Sequence, residues 1–431
     1  MGSRPANKKK IINDPVHGFI KISSEEHFDL IEHPYFQRLR RIKQLGLTNF
    51  VYPGATHTRF QHALGAYHLT GMAIQELRTK NIDITPREEN ATLAAILLHD
   101  IGHGPFSHAL EESIIEGLHH EELSLLFMHA LNEHFKGRLD LAIRIFTGNH
   151  PKKFLHQLIS GQLDMDRMDY LKRDSFFTGV TEGVIGSDRI VRMLNVARGD
   201  LVVDHKGIYS IEKFLIARRL MYWQVYLHKT VLASEVLLVN TLKRAKLLAL
   251  NGTSLFATPA LWHFLSSGGT KRDFYGGEAP PANQAHLSPL LQKNLELFAS
   301  LDDNDIIASA KAWCSHPDKT LSILSRGLIN RSLYRIEMRN QEFPPEYVSG
   351  IRRQVRKQHG LREEDLGYLV HLGSVSNNAY SSNDEQIRIL YHGGVLRDIT
   401  EASDMLDPSV LSRTVKKYFL CYPKDTPGNG S

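Results

Sequence analysis

The run Ala91-Thr-Leu-Ala-Ala-Ile-Leu-Leu98 is apolar on every face of a helix and ends directly on His99-Asp100, with Gly102 and Gly104 breaking the pattern beyond. A helix that is apolar all round has to be surrounded by other helices, so this stretch predicts a central helix in a mainly α protein. Its start is equally clear. Thr85-Pro86-Arg87-Glu88 has capping-box spacing, with Pro86 at the first helical position, where a missing N–H costs nothing. Neighbouring side chains on a helix diverge by about 100°, yet His99 and Asp100 can both reach one divalent cation if it sits over the helix end. A hydrogen-bonded cap is the other reading of such a pair, so the choice depends on what the remaining chain can add.

Composition sets the frame. The chain has 431 residues with 52 Lys and Arg against 47 Asp and Glu, a formal charge of +5. That suits anionic substrates and is too small to argue for duplex nucleic acid. No secretory signal is seen, and no window approaches the roughly 18 apolar residues of a membrane span. The richest candidate, Val231 to Leu250, carries Glu235, Lys243, Arg244 and Lys246. The two cysteines, Cys314 and Cys421, form no CxxC pair, which argues against a disulfide framework or a thiolate zinc site and points to the cytoplasm. Histidine, by contrast, is concentrated between His57 and His120.

Residues 1–9 are polar and basic and read as a disordered arm. Ile11 to Ile22, with Asp14-Pro15 and His17-Gly18 at its middle, predicts a small N-terminal β-hairpin. Pro34 opens a predicted helix that closes at Gly46, with Phe36, Leu39 and Ile42 inward and Arg38, Arg40, Arg41 and Lys43 mostly on a solvated face. His62 stands near the start of a further helix. Asp164-Met-Asp166-Arg167-Met-Asp169-Tyr170-Leu-Lys-Arg173-Asp174 puts carboxylates at helical spacing; it can carry a ligand, or it can be a face laced with Asp–Arg pairs. One long helical pattern runs from about 210 to 250, where Arg218 and Arg219 lie among Phe214, Leu215, Leu220, Met221 and Trp223 and call for a buried partner, either a phosphate or an acid. We divide the chain into a core over 10–250, a helical extension over 251–365 with a flexible loop near 267–289, and a small α/β region over 366–431. Strand-like runs in that last region are 368–372, 386–391 and 417–422.

His62, His99-Asp100 and Asp166 in a helical context form an H…HD…D set, and two imidazoles with two carboxylates suit Fe, Mn, Ni, Zn or Mg. The segments around them are more specific: Phe36 to Gly46 (FQRLRRIKQLG), Pro53 to Gly65 (PGATHTRFQHALG), Leu98 to His108 (LHDIGHGPFSH) and Asp164 to Tyr170 (DMDRMDY). Together they closely resemble the dNTP triphosphohydrolases of the HD-domain superfamily, the family of the sterile-alpha-motif and HD-domain dNTPase and its bacterial HD-only homologues. The resemblance spans roughly 10–250 and is looser in the last 130 residues. No sterile-alpha-motif segment precedes it, as expected of the HD-only form.

The resemblance implies that His62, His99, Asp100 and Asp166 ligate one divalent metal, with a second Mg²⁺ accompanying the nucleotide. It makes His103, His108 and His120 the catalytic histidines, with Glu111 beside them where relatives often carry Asp. Arg59, Arg167, Tyr170 and Arg218 match the groups that hold a triphosphate, and Gln44, Leu45 and Asp174 those that read the deoxyribose. The implied reaction is attack of a metal-activated water at the α-phosphorus of a dNTP, releasing deoxynucleoside and inorganic triphosphate. A homo-oligomer, dimer or tetramer, and a nucleotide activator are implied partners. Around the regulatory site the match is uneven: Asn13-Asp14, Gln37 and Arg40 are present, but Glu32 replaces an Asp. Two other readings stay open. One is a phosphohydrolase of nucleoside monophosphates or cyclic or signalling nucleotides. The other is a non-catalytic regulatory or single-stranded nucleic-acid-binding HD protein. No membrane partner is expected.

Overall fold

The computed structural model describes residues 10–106, 109, 113–267, 270–277, 287–377, 386–405 and 414–424. It is mainly helical with small sheets, as the apolar periodicity predicts. The central helix, Pro86–Leu98, starts on the predicted capping box: Glu88 N donates to Thr85 Oγ1, and Glu88 Oε2 accepts from Thr85 N. Every residue from Ala91 to Leu98 is buried. Each fully buried Leu or Ile stabilises the fold by about 1.5–3 kcal/mol. The His62 helix, Arg59–Thr79, packs against both this helix and the Asp166 helix, Met165–Thr178, so three elements converge on one point.

The predicted hairpin is present as β1 (Lys10–Asp14) and β2 (Gly18–Ile22), paired antiparallel with Lys10 opposite Ile22. After it the expected helix at Pro34 does not run on. It gives one α turn, Pro34–Gln37, and a 3₁₀ turn, Arg38–Arg41. The change of pitch turns Arg38 inward, against the solvated face expected for it. Its guanidinium is 1% exposed, donates from Nη2 to the carbonyls of Ile101 (2.6 Å) and His103 (2.8 Å), and lies between the Phe127 and Phe298 rings. Burial pushes its pKa down, to about 9.

Four further expectations are corrected. The helical pattern 210–250 is two helices, Ile208–Met221 and Lys229–Leu250, separated by a π turn at Tyr222–Tyr226. A second hairpin, β3 (Leu194–Ala197) and β4 (Asp200–Asp204), escaped the strand reading. Its turn residues Arg198 and Gly199 both have positive φ, the geometry that suits a two-residue hairpin loop. The helical extension over 251–365 is interrupted by β5 (Arg335–Arg339). The strand-like run at 368–372 begins as a helical turn, Leu366–Leu369, and becomes β6 (His371–Asn377) only afterwards. The runs at 386–391 and 417–422 are β7 (Arg388–Leu390) and, following β8 (Leu396–Asp398), β9 (Val415–Tyr422).

These strands form two sheets, β3-β4-β7-β8, with β7 parallel to β4, and β5-β9-β6, antiparallel throughout. Buried side chains from Ile20 to Tyr422 belong to one continuous core. Within the predicted loop 267–289, a short helix, Lys271–Tyr275, is capped by Thr270, and the next helix starts at Pro289. Residues 268–269 and 278–286 of that loop, the arm 1–9, and His108 and Glu111 lie outside the described residues. Among the described residues no helix is long and apolar enough to cross a membrane.

Candidate metal centre

A Thr58–Gln61 capping box starts the His62 helix, so His62 is fixed in its first turn. His99 ends the central helix, and its carbonyl is capped by Ser124 Oγ (2.7 Å) from the helix His120–His134. Gly102 allows that helix to come close: a Cβ there would lie 2.2 Å from the His120 carbonyl oxygen. Asp164 caps the Asp166 helix, accepting from Arg167 N (2.7 Å) and Gly161 N (2.8 Å).

These termini bring the predicted ligands together. One ligand atom each of His62, His99 and Asp166 fall within 4.8 Å of one another. Asp100 completes the group, with Oδ2 3.7 Å from His62 Nε2 and Oδ1 3.4 Å from His99 Nε2. The far ring nitrogens are fixed by other partners: His62 Nδ1 by Asp169 Oδ2 at 2.7 Å, His99 Nδ1 by the Ile96 carbonyl at 2.6 Å. An acceptor on Nδ1 keeps a proton there, so in the neutral form that a metal ligand requires each ring turns its Nε2 lone pair toward Asp166. Asp166 Oδ1 is 3.1 Å from His62 Nε2, but the contact lacks hydrogen-bond geometry; among the described residues both Nε2 atoms are buried without a hydrogen-bond partner.

The electrostatics call for positive charge at this point. Burial alone would lower the pKa of His62, but Asp166 and Asp169 outweigh it and push it up to about 10. Burial disfavours ionised Asp100 and Asp166, yet the surrounding histidines, and for Asp100 also Arg59, hold both below the usual carboxylate range. Two imidazole nitrogens and two ionised carboxylates around one buried point fit a divalent cation by donor type and by charge.

His103 adjoins this cluster, its Nε2 3.3 Å from Asp100 Oδ1, and its ring stacks on His120 at 3.9 Å. Burial and the nearby Arg59 push the His103 pKa down to about 3. Arg59 Nη1 is 2.5 Å from Asp100 Oδ2. Arg167 reaches its own cap Asp164 and the Gly161 carbonyl, and Arg218 Nη1 donates to Gln162 Oε1 at 3.1 Å rather than to an acid. Tyr170 is near enough to Tyr222, Arg218, Arg167 and Asp166 for each to act on its hydroxyl, whose pKa burial raises. Gln44 N donates to the His57 carbonyl, and the buried Gln44 Oε1 has no partner among the described residues. Leu45 is half-buried beside it. Asp174 is buried, with Oδ1 2.7 Å from His57 Nε2 and Oδ2 accepting from Tyr226 at 2.8 Å, so His57 ties Gln44 and Asp174 together.

The sequence matches a family model described as HD domain over residues 59–174 and one described as HD associated region over 185–253. An uncharacterised protein of Bacillus subtilis, YwfO, is 31% identical over 440 aligned positions, covering 99% of this chain and 94% of that one. The chain belongs to the HD-domain phosphohydrolase family. A solved phosphohydrolase of Bacteroides thetaiotaomicron superposes with a TM-score of 0.91 at 52% identity, over 96% of this HD protein and all of that chain. A Dictyostelium discoideum relative, described as deoxynucleoside triphosphate triphosphohydrolase SAMHD1 homolog, is 32% identical over 55% of this chain; the match spans about half of that protein, 49%.

The HD match begins at Arg59 and ends at Asp174, so His62, His99, Asp100 and Asp166 all fall inside it. Residues that support these side chains without being predicted as site residues include His17, His57, Asp169, Arg173, Tyr226 and Asp303. For Asp169 and Arg173 the i, i+4 spacing was the available signal; for His17 and Asp303 nothing local was.

Proposed function

We propose that this HD protein is a metal-dependent dNTP triphosphohydrolase. The observation that supports it best is the grouping of Arg167, Tyr170 and Arg218 around the ligand Asp166; Gln44, tied to Asp174 through His57, adds a buried Oε1 with no partner among the described residues. The cationic groups suit a triphosphate, and the acceptor suits a sugar hydroxyl. In this reading His62, His99, Asp100 and Asp166 hold the ion. Bound there, it supplies Lewis acidity toward water and phosphoryl oxygen. Arg59, Arg167, Tyr170 and Arg218 bind the phosphates and spread the negative charge that the triphosphate carries through the reaction. Gln44, Leu45 and Asp174 face the deoxyribose. Water adds to the α-phosphorus as its bond to the 5′-oxygen breaks. His103 and His120, joined by His108 and Glu111, align that water and pass a proton to the 5′-oxygen.

Residues 10–250 form the catalytic core of this reading, braced by 251–365 and 366–431. A second Mg²⁺ arriving with the nucleotide, a homo-oligomer and a nucleotide activator belong to it as well. The test is incubation with each dNTP and GTP, singly and mixed, with Mn²⁺ or Mg²⁺, resolving nucleoside and triphosphate by chromatography. We expect metal-dependent release of intact triphosphate that Asp166→Ala abolishes. Absence of triphosphate under every mixture refutes the reading, and release of orthophosphate from monophosphates assigns a different phosphoester.

A further inference from the structure

A chain of buried charged groups runs from the N-terminal hairpin to His62. Asp169 Oδ2 accepts from His62 Nδ1, and its Oδ1 lies 2.6 Å from His17 Nε2. Arg173 grips Asp169 with Nε at 2.9 Å and Nη2 at 3.1 Å. The same guanidinium grips Asp14, Nη1 at 2.7 Å from Oδ2 and Nη2 at 3.2 Å from Oδ1. Asp14 also accepts from the backbone N–H groups of Val16 and His17, which sets the hairpin turn that presents the His17 ring. The side chains of Asp169 and Arg173 are fully buried, and those of His17 and Asp14 are 2% and 4% exposed. Arg173 balances one of the two carboxylates. The remaining negative charge lies against His62 Nδ1–H.

We propose that Asp14 and His17, acting through Arg173 and Asp169, are positioning residues of the metal centre that hold His62 in the tautomer and orientation that ligate the ion. The proposal rests on the metal reading above. A carboxylate on the far nitrogen of a ligating imidazole fixes ring rotation and raises the basicity of the near nitrogen. Here that carboxylate is itself held by a strand pair distant in sequence, so undocking the hairpin frees Asp169 to turn away and leaves His62 free to rotate. This is a side-chain route by which residues 10–22 reach a ligand. It makes the hairpin part of the site rather than a decoration on the core.

The experiment measures Mn²⁺ affinity of the full chain by calorimetry and by Mn²⁺ electron paramagnetic resonance, with circular dichroism and thermal unfolding of the metal-free protein recorded alongside. His17→Leu and Asp14→Leu are expected to weaken Mn²⁺ binding roughly 10–100-fold. His17→Gln, whose amide can still donate to Asp169, should recover part of the loss. Should His17→Leu or Asp14→Leu not fold, His17→Gln and Asp14→Asn carry the comparison, with weaker but measurable losses. Folded variants that bind Mn²⁺ as the wild type does overturn the proposal and leave the network a purely structural one. A wild-type protein that binds no divalent ion overturns the metal reading and the proposal together. Weakened metal binding in a protein that leaves every dNTP intact sustains the positioning role while refuting the triphosphohydrolase.

Discussion

Replacing Gly65 by alanine should destabilise the protein, although Ala is the better helix former by about 1 kcal/mol. Gly65 lies inside the His62 helix, and a Cβ there would fall 1.9 Å from Asp169 Oδ1, 2.3 Å from Arg173 Nη2 and 2.6 Å from Asp169 Cγ. An exposed carboxylate would simply swing aside. Asp169 cannot, because His17, His62 and Arg173 fix it and no solvent lies behind it. Displacement costs at least one charge-assisted hydrogen bond, about 1.5–3 kcal/mol. A buried charge left short of its partner raises the total toward about 3–5 kcal/mol. After the helix-propensity gain the net loss is roughly 2–4 kcal/mol, a fall in Tm of several degrees. Differential scanning calorimetry of the metal-free protein reads this, and Mn²⁺ titration of the same samples should show weaker binding. A Tm equal to or above that of the wild type would refute the reasoning, because it would mean the network yields without cost.

Two further substitutions probe the supports of the site. Glu88 is 9% exposed, and although burial raises its pKa, Lys152 and Thr85 outweigh that and hold it below the ordinary glutamate value. A depressed carboxylate stabilises the fold above the unfolded pKa of about 4.3 and loses that contribution as pH falls through the folded value. Glu88→Gln should therefore lower stability by about 1 kcal/mol at pH 7, with the gap closing below pH ~4; Tm recorded from pH 3 to 7 checks it, and a pH-independent gap contradicts it. Asp303, 5% exposed, accepts from Lys43 N (3.1 Å) and Phe106 N (3.2 Å), bridging the strand-like approach to Gln44 and the loop beyond His103. Asp303→Asn can accept only one of these, so we expect a loss of about 1–3 kcal/mol with a raised KM for any dNTP hydrolysed; unchanged stability and KM would show that neither segment depends on the clamp.

What could be read from the sequence was what nearest neighbours along the chain encode. The central helix, its capping box and the ends that carry His62, His99 and Asp166 follow from periodicity and caps, and the structure brings these side chains together. The two readings of Asp164–Asp174 turn out to be compatible: Asp166 faces the ligand cluster while Asp169 and Arg173 form the expected acid–base pair on the same helix. The rest depends on partners far away in sequence. Arg38 looked like one charge on a basic face because nothing in its neighbourhood announces the Ile101 and His103 carbonyls, more than 60 residues on, that bury it. Strand β5 reads Arg-Ile-Glu-Met-Arg, an alternation too polar to stand out, and becomes a strand by pairing with β9. His57 and Tyr226 were passed over for a similar reason, since only the folded chain shows both side chains bonded to Asp174.

The parallel pairing of β4 with β7 has a consequence for the order of events during synthesis. When residues 194–204 emerge from a ribosome they can close their own hairpin at once, but Val203 and Asp204 await Ile389 and Leu390, whose codons are still unread. Until then one flank of that hairpin is an open edge, able to template pairing with another chain. The nascent protein thus carries a temporary sticky margin beside its growing helical core, and it is sealed only once Ile389 and Leu390 have been made.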